Sequence, residues 1–193
     1  MTIPHLSGKT AAHKAAHKVV TYKTGARWLH WSMALLVLAM IPVGFLMIQD
    51  GLSRTVQNNL FIFHKNVGVL LLVLIVVRIV YRAVNPPPPK PAHLPAWQAR
   101  IASLSHGALY ALLVVMPLAG YVRVRAGGFP IEALDALGIP VLVPKSDALA
   151  GFAKTVHFYG SWAIAALVAL HIAAALHHAL VKRDGIFSRM WQR

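Results

Sequence analysis

The chain contains no cysteine among its 193 residues. That excludes disulfides, thiolate metal sites, iron–sulfur clusters and covalent haem attachment through Cys-x-x-Cys-His. Acidic residues are almost as scarce, five against nineteen Lys and Arg. Charged residues together make up 12% of the chain, where a soluble domain carries about a quarter. Charge has been removed from most of the length, as a lipid solvent demands. No nucleophilic triad, phosphate-binding loop or pair of close carboxylates is evident, so hydrolysis and phosphoryl transfer are poor candidates. A net charge of +14 would suit nucleic acid, but the basic residues cluster between apolar runs. They form no stripe interleaved with aromatics, and no nucleic-acid partner is expected.

What is abundant is apolar sequence, 58% of residues, together with eleven histidines. A bilayer core of roughly 30 Å requires about 20 apolar residues in a helix. Four stretches qualify, at about Trp28–Ile48, Leu60–Tyr81, Ile101–Val122 and Val156–Val181. They are long, rich in Leu and Ala, and do not alternate, which predicts helices rather than strands. The expected fold is therefore an all-α integral membrane protein, a four-helix transmembrane bundle spanning 27–182. A basic tail (1–26) precedes it and a basic C-terminal segment (183–193) follows. Pro42 and Pro117 fall inside spans, where membrane helices tolerate them. The first 27 residues are polar and basic with no small-residue cleavage site after the first apolar run, so no cleaved signal is expected.

The connections differ in character. Asn85–Pro91 reads Asn-Pro-Pro-Pro-Pro-Lys-Pro, a stiff spacer that cannot continue a helix. The segment 123–154 is too long for a simple turn and is expected to cover one end of the bundle. If both termini and the proline-rich spacer share one side, that side carries thirteen Lys and Arg against Asp184 alone. The other side carries six against four acids. There Arg54, Arg123, Arg125 and Lys145 are expected to give a mildly basic face that favours a small anionic donor. The positive-inside rule then puts both termini in the cytoplasm.

Ionisable groups within a span are costly, and each is a functional hypothesis. His30, His64, His106, His157 and His171 fall in or at the edges of spans. Fourteen residues separate His157 from His171; in a helix this is a rise of about 21 Å, with the two imidazoles within roughly 40° of one face. They are two ligands at two depths of one groove. His30 reaches the depth of His171, and His64 that of His157. Opposed neutral imidazoles in an apolar interior suit a low-spin, six-coordinate haem iron, because the macrocycle is flat and apolar. Gly68 after His64, Gly160 after His157 and Ala173–Ala175 beyond His171 are expected to give it room.

Arg78 lies at the depth of the cytoplasmic-side centre and is placed to pair with a propionate, although it could also snorkel to the interface. Lys65 and Lys154 are candidates for the same task on the other side. His106 is either an alternative to His30 or a hydrogen-bond partner for a propionate or a quinone. His177 and His178 read as interfacial polar groups. His5, His13 and His17 lie in the tail and are expected to be solvated. Trp28, Trp31, Trp97, Trp162 and Trp191 are expected to anchor or pack.

These residues resemble the bacterial cytochrome b561 family, over nearly the whole chain after the tail. The resemblance rests on Arg27-Trp28-Leu29-His30-Trp31, on His64 with Gly68 and the run to Val77-Arg78, on His106 with Pro117-Leu118-Ala119-Gly120, and on His157 to His171 followed by His177-His178 and Lys182. It implies two haem b groups ligated by His30, His64, His157 and His171. It also implies electron exchange with ubiquinone at the bacterial inner membrane, superoxide as one proposed donor, and His178 as a quinone contact.

The expected activity is one-electron transfer from a periplasmic-side donor, small molecule or protein, to the quinone pool. Two alternatives compete with it. One is a cytochrome anchor subunit for a periplasmic dehydrogenase or hydrogenase. The other is a haem-free transporter that uses its histidines for protons or metal ions, against which the scarcity of carboxylates in the spans argues.

Overall fold

The computed structural model describes residues 20–191; the tail histidines His5, His13 and His17 lie outside them. Four long helices form: α1 (Thr24–Leu46), α2 (Arg54–Val84), α3 (Ala96–Ala126) and, after the short α4 (Glu132–Ala136), α5 (Asp147–Leu176). The last continues as a π-helical turn, His177–Lys182, and a 3-10 turn follows at Phe187–Arg189. No strand occurs among the described residues. All four long helices are apolar and long enough to cross a bilayer.

The helices outrun the apolar stretches that mark them, at both ends in α2 and α3 and at the start in α5. Helix α1 begins four residues early and stops two short of Ile48. At 31 residues, α2 and α3 extend about 46 Å, well beyond the hydrocarbon core. Polar flanks do not end a helix; specific stop and start signals do. Asn85 before the prolines closes α2 and Gly127 closes α3. Ser53 and Ser146 start α2 and α5, their hydroxyls accepting from the Val56 and Leu149 N–H groups at 3.3 Å.

The bundle is built on the α3–α5 pairing, with α1 on α2 and α2 on α3. Its apolar centre is Met33, Val37, Leu71 and Ile75, packed against Met40, Tyr110 and Val168. The outer face is also apolar: Leu35, Val80, Leu104 and Phe152 are all well exposed. Water would penalise that surface by roughly 25 cal/mol per Å², and lipid does not. Trp28, Trp97 and Trp162 lie on this exterior, as anchoring residues do.

At one end, α4 packs on α2. Lys65 on α2 donates to Glu132 at 2.6 Å and to the Pro130 carbonyl at 2.7 Å. Asn66 donates to Glu132 and accepts from the Ala133 N–H. The other end, called here the terminal end, is closed by the residues after α5. Arg189 is buried and donates to the carbonyls of Val20 and Pro89, while its own carbonyl accepts from the Tyr22 N–H. One side chain thus joins the N-terminal segment, the proline-rich connection and the C-terminal segment. Trp31 adds a bond from its indole N–H to the Met190 carbonyl at 2.9 Å and packs edge-on to Trp191.

Candidate functional site

The four histidines of the expected ligand set meet as two pairs. His30 on α1 faces His171 on α5, ring centroids 6.2 Å apart and planes inclined by 79°. His64 on α2 faces His157 on α5 at 6.0 Å and 75°. The backbone of α5 packs closely on α3 but on neither α1 nor α2, the two helices whose histidines face it. The imidazoles therefore meet across the wider helix separations.

Those spacings fit a shared iron. With a metal–nitrogen bond of about 2.0 Å and about 1.1 Å from nitrogen to ring centre, two axial imidazoles place their centroids about 6.2 Å apart. The surrounding residues also fit. His157 Nδ1 lies 3.0 Å from the Met116 carbonyl, so an Nδ1–H donates there and Nε2 is left with its lone pair for a metal. His64 Nδ1 is buried with no hydrogen-bond partner. Gly44 on α1 and Gly120 on α3 press against the two rings: a Cβ would lie 3.0 Å from His64 Cε1 at the first and 3.3 Å from His157 Cε1 at the second. Among the described residues no group of three or more His or acidic side chains converges in a manner suited to a bare metal ion.

At the other centre, Arg78 is half-buried beside His30. Its Nε donates to the Tyr110 hydroxyl at 3.0 Å and its Nη2 lies 3.2 Å from His30 Nδ1. A guanidinium only donates, so Nδ1 is the accepting nitrogen of that contact. His106 sits 5.5 Å from the His171 ring. It is exposed where His30 is half-buried, and its spacing is shorter than a shared iron requires. His178 is half-buried and paired with Asp184 at 2.6 Å, so it is more than an interfacial polar group; His177 is exposed.

Three expectations are corrected. Lys65 is held by Glu132 and the Pro130 carbonyl, so it is not free for a propionate. Gly160 makes room for Met116, whose sulfur an added Cβ would strike, rather than for a macrocycle. Arg125 is buried against Asp135 and is lost from the exposed basic face of the α4 end. The hydrogen bond from Arg125 outweighs burial and holds the Asp135 carboxyl below its ordinary range. Gly44 and the Met116 carbonyl were not found from the sequence. A glycine on a neighbouring helix at the depth of a ligand is the signal that could have found the first.

The prokaryotic cytochrome b561 family model matches residues 21–193. The chain belongs to that family. Cytochrome b561 homolog 2 of Escherichia coli K12 is 31% identical over 163 residues, 83% of this chain and 86% of its own length. Cytochrome b561 homolog 1 of the same organism is 31% identical over 138 residues, 67% and 73% of the two chains. A probable superoxide oxidase, CybB, of Yersinia pestis is 25% identical over 162 residues, 84% and 90%. Membership makes this a multi-pass membrane cytochrome of electron transport, and for a cytochrome b561 it implies haem b.

Proposed function

We propose that this cytochrome b561 carries two haem b groups and passes single electrons across the membrane, from a donor at the α4 end to ubiquinone at the terminal end. The observation that carries the reading is the pair of opposed imidazole couples, 6.2 and 6.0 Å between centroids, at two depths of α5. Bound haem supplies a reversible one-electron couple at each depth. The chain's own residues set the conditions. His30, His64, His157 and His171 would hold the two irons. The Met116 carbonyl fixes the tautomer of His157, and Gly44 and Gly120 hold the rings in place. Arg78 would pair with a propionate carboxylate, leaving His30 Nδ1 to carry the ring proton and Nε2 to bind the metal. His106 hydrogen-bonds a propionate or the quinone beside His171, and His178 contacts the quinone.

The excess of basic residues at the terminal end supports a cytoplasmic location for it and a periplasmic one for α4. Arg54, Arg123 and Lys145 leave the α4 end mildly basic, which favours a small anionic donor. Superoxide is such an anion, and the Yersinia relative is named a probable superoxide oxidase. Purified protein, reduced by enzymatically generated superoxide in the presence of ubiquinone, tests this directly: quinol formation supports the reading and its absence removes superoxide.

One observation favours a protein donor instead. Leu137, Ile139, Val141 and Leu142, between α4 and α5, are exposed; an apolar run of this kind can dock a partner. Under that reading the isolated cytochrome is not reduced by small molecules, and a large periplasmic dehydrogenase or hydrogenase co-purifies with it.

A further inference from the structure

A second cluster of titratable side chains lies beyond the His30–His171 centre. His178 follows His171 by seven residues, about 10 Å further along the helix and roughly 20° from the same face. It continues the line of His157 and His171 outward toward water. The helix widens here into the π turn His177–Lys182, a distortion frequent at functional positions. The turn ends on Arg183, whose left-handed backbone (φ 50°) reverses the chain and brings Asp184 back to His178.

Asp184 Oδ2 lies 2.6 Å from His178 Nδ1, and Oδ1 accepts from the Ile186 N–H at 3.1 Å. His93, in the proline-rich connection, has its Nε2 4.0 Å from the same Oδ2. His178 and Asp184 are largely shielded, with 19% and 16% of their side chains exposed, whereas His93 is open at 54%. Among the described residues, no Lys or Arg stands within ion-pair distance of Asp184, although this is the strongly basic end of the molecule. A carboxylate paired only with imidazoles has partners that can lose their charge, which a structural ion pair does not. Burial alone would raise the Asp184 carboxyl; the bonds from His178 and Ile186 outweigh it and hold it below the usual range, so it is ionised at neutral pH.

We propose that Asp184 is a positioning residue that makes His178 the proton donor to the quinone, with His93 collecting protons at the aqueous edge. This rests on the quinone-reducing reading above. Conversion of quinone to quinol takes two electrons, which arrive singly, and two protons, one for each carbonyl oxygen. The Asp184 carboxylate accepts from Nδ1–H and so directs Nε2 to the quinone. The imidazolium gives its Nε2 proton to a quinone oxygen and stays neutral with Nδ1 still bonded to Asp184. Water admitted at the edge that His93 marks returns the proton to Nε2, and the other carbonyl oxygen of the quinone takes the second proton from water.

The test uses the purified holo-cytochrome, reduced in advance, and follows its reoxidation by decylubiquinone from pH 5.5 to 9. Asp184→Asn keeps the shape but has one acceptor oxygen, so it can accept from the Ile186 N–H or from His178 Nδ1–H and not from both. It is expected to leave the haem spectrum unchanged and to slow reoxidation at pH 8 about tenfold. The pH dependence of reoxidation should change with it, because the carboxylate no longer orients the imidazole. Asp184→Glu restores most of the rate, and His93→Ala slows the reaction only at the alkaline end. A wild-type rate and profile in Asp184→Asn, with His178→Ala slow, overturns the relay and leaves the quinone reading standing. Wild-type behaviour in both variants, or no reoxidation of the wild type, overturns both. If Asp184→Asn loses haem, His93→Ala decides: an unchanged alkaline limb overturns the relay.

Discussion

His64 and His157 face each other with ring centroids 6.0 Å apart, and each ring is pressed by a glycine from a third helix, Gly44 and Gly120. The ligand geometry at this depth is thus set by helices that place no ligand there. Gly44→Val is expected to displace the His64 ring, since even a Cβ would stand 3.0 Å from it. Haem b per chain should fall toward one, with the His30–His171 centre keeping its low-spin electron paramagnetic resonance signal. Two intact low-spin signals in the variant would contradict this packing role.

Arg78, held between His30 and the Tyr110 hydroxyl, places a permanent positive charge at the terminal-side centre. Its removal in Arg78→Leu favours the oxidised iron. The midpoint potential of one centre is expected to drop by roughly 50–100 mV, from a unit charge at about 8 Å and an effective dielectric near 20. The other centre should move far less. Redox titration followed by visible spectroscopy resolves the two.

The seating of α4 on α2 depends on the Glu132 carboxylate. Burial raises its pKa, but the bonds from Lys65, from its own backbone N–H and from Asn66 outweigh it, so the folded value lies below the ordinary 4.5. A depressed carboxyl contributes stability above its unfolded pKa and loses it as pH falls through the folded one. Hydrogen exchange at residues 130–137 should therefore stay slow from neutrality down to about pH 4.5 and accelerate below it. Glu132→Gln should exchange fast at every pH.

Arg189→Ala leaves the Val20 and Pro89 carbonyls without their donor. Each hydrogen bond to a charged group contributes about 1.5–3 kcal/mol, so local opening of the terminal end is expected to become easier by about 2–4 kcal/mol, allowing for partial rehydration. Hydrogen exchange at Tyr22, and proteolysis near residues 183–191, report it. Global unfolding should change less, because the four spans do not depend on this contact.

The bundle could be read from the sequence because lipid imposes one rule on every residue of a span: twenty apolar positions without charge can be little else than a membrane helix. The His157–His171 pair could be read for a similar reason, since helical pitch alone fixes both their face and their depths. Helix ends were less visible, because Arg54, Arg100 or Arg125 stop the hydrophobic signal without stopping the helix. Partners of charged side chains were not visible at all. Lys65 looked free until α4 folded back to meet it, and Arg125 looked exposed until Asp135 covered it. The return of Asp184 to His178 depends on a π turn and a left-handed Arg183, neither of which has a sequence pattern.

Haem content tests the central claim most directly. The protein is purified in detergent, its dithionite-reduced minus oxidised spectrum recorded, and haem b per polypeptide determined for the wild type and for His157→Ala. Two low-spin haems per wild-type chain, falling to one in the variant, is the expected result. A colourless wild-type protein with no Soret band, even when expressed with excess haem, would contradict it.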